Sequence, residues 1–257
     1  MSSTPTTTST DAGAPVGIDF GGTGIKGAPV DLAVGDFAAE RVRVRTPQPS
    51  TPAVVAAVFR DLLAAFPDVQ GPVGVTVPGI VRHGVIGSAA NIDPAWIGTD
   101  ADALFTEATG RDVHVVNDAD AAGLAEVRYG AARGRQGLVI VTTLGTGIGS
   151  ALVHDGRLVP NSELGHLELD GHVAEKRAAN SAREREKLPM AAWAERLTAY
   201  YRHLERLFSP DLFVVGGGVS KRSEEFLPLL RLDTEIVPAT LRNKAGVVGA
   251  ALHATGG

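Results

Sequence analysis

The sequence predicts an α/β fold made of two similar halves, and three observations lead to this prediction. Apolar segments with strand character alternate with segments of helical periodicity. A Gly-Thr-Gly-Ile run occurs twice, at 22–25 and at 145–148, each time between two apolar segments. The chain of 257 residues is long enough for one or two domains, and the repeated run favours two.

The first half is predicted to contain five strands and two helices. Pro52 stands in the first turn of the first helix, where its missing N–H costs nothing, and apolar residues such as Val54 and Leu62 follow at near-helical spacing. The second helix is rich in alanine. The predicted strands are 16–20, 28–30, 41–46, 73–77 and 113–116, and the predicted helices are 51–66 and 119–129.

The second half repeats this alternation. Its long helix carries an apolar face that includes Trp193, Leu197 and Leu204. A strand there runs into the glycines 216–218, and we expect a helix to follow them. The predicted strands are 138–143, 151–153 and 211–215, and the predicted helices are 191–208 and 246–253, the last packing back on the body of the protein.

Composition excludes several classes of protein. The chain has no cysteine, which rules out disulfides, iron–sulfur clusters and thiolate zinc sites. Its net charge of −5 argues against nucleic-acid binding, and no run approaches the roughly 20 apolar residues that span a bilayer. Residues 1–13 are rich in serine and threonine without a secretory pattern, and we expect a disordered lead-in. We therefore expect a cytoplasmic protein that binds neither nucleic acid nor membrane.

Each Gly-Thr-Gly-Ile run predicts a β-hairpin whose turn can hold a phosphate. Glycines allow positive φ and let backbone N–H groups approach an anion directly, and the threonines add hydroxyl donors. Asp19 stands just before the first turn, at 21–24, where a carboxylate can hold Mg²⁺ that faces the phosphate. The alternative for Asp19 is a turn aspartate that accepts a bond from its own backbone.

Two further segments carry candidate chemistry. Asn117 and Asp118 end a predicted strand, where an aspartate can take a proton from a substrate hydroxyl, but a helix follows directly and capping is the alternative. The segment 163–175 concentrates carboxylates and histidines, which can bind a metal or a polyhydroxylated ligand. Its alternative is a solvated acidic loop. For the triple glycine the alternatives are ligand contact and close packing of a helix on a strand.

Three separated motifs resemble those of the sugar kinases in the actin/hexokinase/heat-shock ATPase superfamily, and within it the ROK group. They are Val-Asn-Asp-Ala-Asp-Ala-Ala at 116–122, Thr-Leu-Gly-Thr-Gly-Ile-Gly-Ser at 143–150 and Glu-Leu-Gly-His-Leu-Glu-Leu-Asp-Gly-His at 163–172. The similarity is greatest to the polyphosphate glucokinases of actinobacteria, and it covers nearly the whole chain after Pro15. It implies an actin-like/hexokinase (ribonuclease H-like) α/β fold, with two similar domains around a central cleft.

The resemblance also implies domain limits and residue roles. A small N-terminal domain would comprise 14–118 and 238–257, including the returning C-terminal helix, and a larger C-terminal domain would comprise 119–237. Asp118 would be the general base for the glucose 6-hydroxyl, and Asp19 would hold Mg²⁺. The implied glucose ligands are Gly79, Asn91, Asn117, Asp118, Glu163, His166 and Glu175. The implied phosphate ligands are Asp19, Gly21, Gly22, Thr23, Gly24, Lys26, Gly145, Thr146, Gly147, Gly216, Gly217 and Gly218, the last three contacting adenosine in relatives that use ATP.

One departure from many ROK kinases concerns zinc. Those proteins follow the Glu-x-Gly-His element with a cysteine cluster that binds structural zinc, whereas this chain has Gly171-His-Val-Ala-Glu-Lys-Arg there and no cysteine. Zinc is therefore not expected. The resemblance further implies a homodimer. A ROK-type transcriptional repressor is the rival from another class, but the roughly fifteen residues before the first strand leave no room for a DNA-binding domain. A non-catalytic sugar-sensing protein is a third alternative.

Two basic runs bear on the phosphoryl donor. Polyphosphate needs an extended cationic track, whereas ATP needs an adenine pocket. One run follows the sugar element and the other precedes the second glycine turn, so both could reach the cleft, although a solvated helix face is the alternative for each. We hypothesise polyphosphate as donor, with ATP alone or both donors as alternatives. The basic candidates are Lys176, Arg177, Arg183, Arg185 and Lys187, then Arg128, Arg133 and Arg135, with Lys26, Lys221, Arg222 and Lys244 in addition.

Overall fold

The computed structural model describes residues 13–256, so the lead-in predicted for 1–13 lies, apart from Gly13, outside the described residues. The strands are β1 (Val16–Phe20), β2 (Gly24–Asp31), β3 (Asp36–Phe37), β4 (Val42–Arg45), β5 (Val73–Val77), β6 (Val81–Arg82), β7 (Val85–Ile86), β8 (Val113–Asn117), β9 (Leu138–Leu144), β10 (Ile148–His154), β11 (Arg157–Val159), β12 (Glu168–Leu169), β13 (His172–Val173), β14 (Leu212–Gly216) and β15 (Ile236–Pro238).

The α-helices are α1 (Pro52–Leu63), α2 (Ala101–Thr109), α3 (Asp118–Tyr129), α4 (Ala174–Ala178), α5 (Asn180–Arg185), α6 (Met190–Phe208) and α7 (Ala245–Ala254). Short 3₁₀ helices cover Pro94–Trp96, Leu164–His166, Gly218–Glu225, Leu227–Leu229 and Arg242–Lys244. Among residues 13–256, no helix combines the length and the apolar character that crossing a membrane requires.

Two sheets share one strand arrangement, which confirms the predicted duplication. In the first sheet the order is β3-β2-β1-β5-β8, with β4 paired to β2, and in the second it is β11-β10-β9-β14-β15. Each sheet begins with an antiparallel hairpin, β1–β2 or β9–β10, and continues with strands parallel to the first strand of that hairpin. The two Gly-Thr-Gly-Ile turns therefore occupy equivalent positions.

Each sheet has its own apolar core. In the first, a group of buried aromatic rings joins β1 to α1 and α2, with the Phe59 and Phe105 rings stacked at 4.4 Å. In the second, α6 buries Trp193 against the Phe226 ring and Tyr201 against Phe213 of β14, and the Tyr201 hydroxyl lies 2.6 Å from the Thr142 hydroxyl of β9. These separate cores make each sheet a rigid wall for what lies between them.

Helices α3 and α7 fill the space between the two sheets, and glycines allow their close approach. A Cβ on Gly17 or Gly74 of the first sheet would lie 1.8 Å from a carbonyl oxygen of α7, and one on Gly249 of α7 would lie 1.8 Å from that of Ala121 in α3. The C-terminal helix thus returns to the first sheet, as the sequence predicted. The domain limits at 118 and 238 stay a prediction.

The predicted strands and helices are confirmed with small shifts in their ends, and two expectations were wrong. The first helix ends at Leu63, and its buried face runs through Val55, Phe59 and Leu62, while Val54 is 43% exposed. The glycines 216–218 lead into a 3₁₀ helix interrupted at Arg222, where a regular helix was expected. These differences arise because packing against neighbouring elements determines which face of a helix is buried and where the helix ends.

Helix α2 was missed, although the sequence carries its end signals. The Asp100 carboxylate accepts a bond from the Ala103 N–H at 2.9 Å and caps the first turn. Gly110 ends the helix in the left-handed conformation, with φ of 68°. An aspartate and a glycine at this spacing could have predicted the helix.

Buried Glu126 joins α3 to the segment that leads into α7. Its carboxylate accepts bonds from the backbone N–H groups of Ala131 at 2.8 Å, Thr240 at 3.1 Å and Leu241 at 2.8 Å. We expect Glu126→Ala to lower the free energy of unfolding by about 3 kcal/mol, because buried donors lose their partner. Urea unfolding would measure it, with Glu107→Ala on exposed α2 surface as control. Equal effects of the two substitutions would contradict this role.

Candidate active site

A cleft of about 490 Å³ lies between the sheets, and both glycine turns line it. It brings together most residues for which the sequence predicted a role: Gly21, Gly22, Gly79, Asn91, Asn117, Asp118, Gly145, Thr146, Gly147, Glu163, His166, Glu175 and Gly217. The predicted residues that do not line it are Asp19, Thr23, Gly24, Lys26, Gly216 and Gly218. Their ligand roles stay predictions.

The first glycine turn is closed by backbone bonds and held by an adjacent strand. The Gly21 N–H donates to the Gly24 carbonyl at 3.1 Å, and the Thr46 hydroxyl donates to the Gly21 carbonyl at 2.6 Å. Just before the turn, the Asp19 carboxylate accepts bonds from Lys26 Nζ at 2.9 Å and from the Thr76 hydroxyl at 3.1 Å. Asp19 is therefore fixed in orientation directly behind the turn.

Asn117 caps α3, and Asp118 begins it. The Asn117 Oδ1 accepts bonds from the N–H groups of Ala119 at 2.8 Å and Asp120 at 3.1 Å, and its Nδ2 donates to the Gly79 carbonyl at 3.0 Å. Asn117 thus provides most of the cap, while the Asp118 carboxylate, whose Oδ1 also accepts a bond from the Ala119 N–H at 2.9 Å, faces the cleft. Capping and a chemical role are thus divided between neighbours.

The electrostatic surroundings of Asp118 suit a base that works near neutral pH. Partial desolvation by the two walls of the cleft raises the pKa of Asp118 to about 6, and the negative charge of Asp19 raises it as well. A carboxylate with such a pKa accepts a proton more readily than an ordinary aspartate and is still largely ionised at pH 7.

Asp120, on the buried side of the same helix turn, belongs to a supporting network. Its Oδ2 accepts a bond from the Asn161 N–H at 2.8 Å, while the Asn161 side chain pairs with both the N–H and the carbonyl of Val81. Burial raises the pKa of Asp120 to about 7, and its Oδ1 has no hydrogen-bond partner within the described residues. This network ties the start of α3 to the segment that carries Glu163.

Two serines fix Glu163, and sequence reasoning gave them no role. The Ser150 hydroxyl donates to the Ser162 carbonyl at 2.7 Å and accepts from the Leu164 N–H at 2.9 Å, while the Ser162 hydroxyl donates to the Ser150 carbonyl at 3.0 Å. Burial raises the pKa of Glu163. Ser150 is the last residue of the second glycine motif, and this position in the sequence could have predicted its role.

The second glycine turn contacts the predicted sugar site through Glu175. The Glu175 Oε2 accepts a bond from the Ile148 N–H at 3.2 Å, and its Oε1 lies 3.9 Å from the His166 Nε2. A Cβ on Gly147 would lie 2.4 Å from that same Oε2. Glu175 therefore packs directly on the turn, and its position depends on a glycine at 147.

Two other predicted segments are held by equally close packing. A Cβ on Gly22 would lie only 2.6 Å from the Asn91 carbonyl oxygen, so the Asn91 segment packs directly on the first turn. Gly217, with φ of 82°, lies against the backbone of Leu144 just before the second turn. Gly217 therefore allows close packing on strand β9, and its contact with a ligand stays a prediction.

Comparison with known proteins bears on what this cleft does. The profile of the ROK family matches residues 15–186. The chain belongs to the ROK family. It is 48% identical to a polyphosphate glucokinase of Mycobacterium tuberculosis (strain CDC 1551 / Oshkosh) over 98% of this chain and 97% of that protein.

Solved structures support the same assignment. A crystal structure of inorganic polyphosphate/ATP-glucomannokinase from Arthrobacter sp. strain KM matches this ROK protein with a TM-score of 0.89 and 57% identity, over 94% of this chain and 98% of that one. A ROK family glucokinase from Streptomyces griseus, in complex with glucose and AMPPNP, matches with a TM-score of 0.80 and 26% identity, over 95% and 100%. The predicted actin-like fold is confirmed.

The two basic runs of this ROK protein do not lie as the sequence suggested. Arg128 is in the last turn of α3, about 15 Å along the helix from Asp118. Arg135, which pairs with Glu235 at 2.7 Å, lies just before the start of β9, whereas the glycine turn follows the other end of that strand. The expectation that this run flanks the cleft was wrong. The run joins the end of α3 to the start of β9, and the cleft lies at the opposite ends of both elements.

Most members of the other run are already engaged. Arg183 is largely buried over the Trp193 ring, and Arg185 pairs with Glu186 at 2.9 Å. Lys176 alone lines the cleft, with its Nζ 3.1 Å from the Glu175 carboxylate. Of the additional candidates, Arg222 pairs with Glu225 and Lys244 pairs with Asp36.

Proposed function

We propose that this ROK protein is a polyphosphate-dependent glucokinase that transfers the terminal phosphoryl group of polyphosphate to the 6-hydroxyl of glucose. The observation that carries the proposal is the Asp118 carboxylate, with its pKa of about 6, facing a cleft between two glycine turns. Support for the donor and the sugar comes from relatives named polyphosphate glucokinase and polyphosphate/ATP-glucomannokinase.

In the proposed reaction, Asp118 takes the proton of the glucose 6-hydroxyl as its oxygen forms a bond to the terminal phosphorus. The bond between that phosphorus and the bridging oxygen breaks, and the shortened polyphosphate leaves with the electron pair. N–H groups of the turns at 21–24 and 145–147 would stabilise the charge on the phosphoryl oxygens. Positioning between two rigid walls would supply much of the rate enhancement.

The donor atoms near Asp118 fit Mg²⁺ held mainly by water and phosphate. Within residues 13–256 there is no cluster of three or more histidine, cysteine, aspartate or glutamate side chains suited to a metal. Mg²⁺ commonly needs only one or two carboxylates, and Asp19, just behind the first glycine turn, could provide one directly or through a water. When bound, Mg²⁺ would neutralise charge on the donor oxygens.

We assign the sugar hydroxyls to the polar groups on the second wall and its surroundings. Glu163, His166 and Glu175 lie on adjoining segments of the cleft, and the Asn117 amide makes one bond, to Gly79, among residues 13–256, which leaves its second N–H for a ligand. Asn91 and the Gly79 backbone complete the set. We further propose a homodimer in the cytoplasm, as expected from the family resemblance.

A coupled assay for glucose 6-phosphate tests this function directly. We expect product with glucose and polyphosphate, and the assay should run in parallel with ATP, because one relative is named for both donors. Mannose in place of glucose tests the wider substrate range that the same name suggests. Activity with ATP alone would favour an ATP-dependent glucokinase, and no product with either donor would favour a sugar-sensing protein.

The pH dependence of the reaction provides a prediction. Since Asp118 must be ionised to take a proton, kcat/KM is expected to fall as pH drops through about 6, by roughly tenfold per pH unit below it. Asp19→Asn removes a negative charge that raises the pKa of Asp118, so the fall should move to lower pH even if the maximum is reduced. The donor's own phosphates also titrate, with a second pKa of about 6 for a phosphate monoester. A profile that Asp19→Asn leaves unmoved would assign the titration to the donor.

A further inference from the structure

Strand β4 and the residue before it carry three arginines at alternate positions. Its exposed and half-buried residues alternate, and Val42 and Val44 pack on the first core. Because successive side chains of a strand point to opposite faces, Arg43 and Arg45 lie on the face away from that core. Arg41, just before the strand, continues the spacing, and its guanidinium lies 5.9 Å from the centre of the Phe37 ring. Alternate residues of a strand are about 6.7 Å apart, so the three arginines extend over about 13 Å.

This face also carries two of the predicted phosphate ligands. Lys26 of β2 is the register partner of Arg43, and Asp19 of β1 is the register partner of Lys26. Directly opposed residues share a face of the sheet, and the ion pair of Lys26 with Asp19 at 2.9 Å agrees with this placement. The arginines therefore lie on the same side of the sheet as Asp19.

The row of arginines begins at the first glycine turn. Arg45 is the register partner of Gly24, and the Arg43 Nε lies 3.5 Å from the place of a Cβ on Gly24. The next residue of the chain, Thr46, holds the turn through its bond to Gly21. From this end the row leads away from the turn to Arg41, whose Nη1 contacts the Asn243 carbonyl at 3.5 Å.

The charges of Arg43 and Arg45 are not neutralised by the protein. Both residues are exposed, and within residues 13–256 neither has a carboxylate oxygen within 4.0 Å. The candidates in the run after Glu175 differ, because Arg185 and Arg183 have glutamate partners. Unpaired arginines in an extended row on a chain of net charge −5 create a local positive potential suited to an extended anion.

We propose that Arg41, Arg43 and Arg45 bind the polyphosphate chain behind the reacting phosphate and so favour long donors over short ones. This rests on the proposed function. One guanidinium group can bind two phosphate oxygens at once. An extended segment presents its arginines at regular intervals to an extended polyanion. A short donor such as tripolyphosphate or ATP would occupy the glycine turns without reaching Arg41.

The test compares two triple variants with equal loss of charge. We expect Arg41→Gln/Arg43→Gln/Arg45→Gln to raise KM for long-chain polyphosphate at least about tenfold, or about 1.4 kcal/mol, and to weaken the dependence of that KM on salt. KM for glucose should change less than about twofold, since the sugar is assigned to other segments of the cleft. KM for tripolyphosphate or ATP should rise less than KM for long-chain polyphosphate, since a short donor at the turn can meet Arg45 and Arg43 but not Arg41. The control, Arg128→Gln/Arg133→Gln/Arg135→Gln, changes residues remote from the cleft and should behave as the unsubstituted protein.

Three outcomes would overturn the proposal: an unchanged KM for long-chain polyphosphate, equal increases in both triple variants, or an equal increase for short donors. Calorimetric titration of long-chain polyphosphate, without glucose, separates this test from the proposed function. Binding that the β4 variant loses, in a protein that makes no glucose 6-phosphate, would refute the function and leave the polyanion site. If the protein turns over polyphosphate and neither triple variant alters this turnover, the proposed function stands and the arginine site is refuted.

Discussion

Replacing Asp118 with asparagine is expected to lower kcat by roughly 10²–10⁴-fold, the usual contribution of a general base. Asparagine keeps the size of the side chain but cannot take the proton of the sugar hydroxyl. Glucose affinity should change little, because the sugar is assigned mainly to groups on other segments, such as Glu163. Steady-state kinetics with polyphosphate and calorimetric titration with glucose measure the two quantities separately.

Asp120→Asn is the matched control, because it makes the same chemical change on the buried side of the same helix turn. Asparagine can still accept the bond from the Asn161 N–H, and Asp120, with its pKa of about 7, already holds a proton much of the time at neutral pH. We expect this variant to keep most of its turnover and its thermal stability. Similar losses in the two variants would mean that Asp118 acts through the structure of the helix start and not as the base.

The sequence predicted the parts of the fold that depend on local pattern. The two hairpins followed from glycine turns between apolar runs, and the strands β1, β5, β8 and β9 were located to within one residue of their ends. Helix α6 was equally clear, because its apolar face repeats over nineteen residues. Such elements carry their burial pattern within themselves.

Long-range contacts account for what the sequence could not predict. Nothing local distinguishes Val54 from Val55, and only packing against β1 and α2 decides which is buried. The bonds of Ser150 to Ser162 join residues of different motifs, and the remoteness of Arg128 follows from the direction of α3. For the same reason the row on β4 was recognised only as a half-exposed strand, since its neighbours come from β1 and β2.

The second glycine turn gives the other prediction with a large expected effect. Gly147→Ala would place a Cβ 2.4 Å from the Glu175 Oε2, so the carboxylate must move and lose its bond to the Ile148 N–H. Glu175 is a proposed sugar ligand beside His166, and a displacement of about 1 Å in such a group can cost about 10²-fold in rate. We expect kcat/KM for glucose to fall by about that factor, together with glucose affinity measured by calorimetric titration.

Gly145→Ala separates this effect from a general intolerance of side chains in the turn. Neither glycine has a positive φ, so alanine can adopt the backbone at both positions, and a Cβ on Gly145 would meet no atom of the other described residues within 4 Å. Its methyl group would project only into space assigned to the donor. Gly145→Ala should therefore raise KM for polyphosphate while glucose affinity stays unchanged, whereas Gly147→Ala loses glucose affinity. If both variants lost glucose affinity alike, the turn as a whole, and not the contact of Gly147 with Glu175, would determine the sugar site.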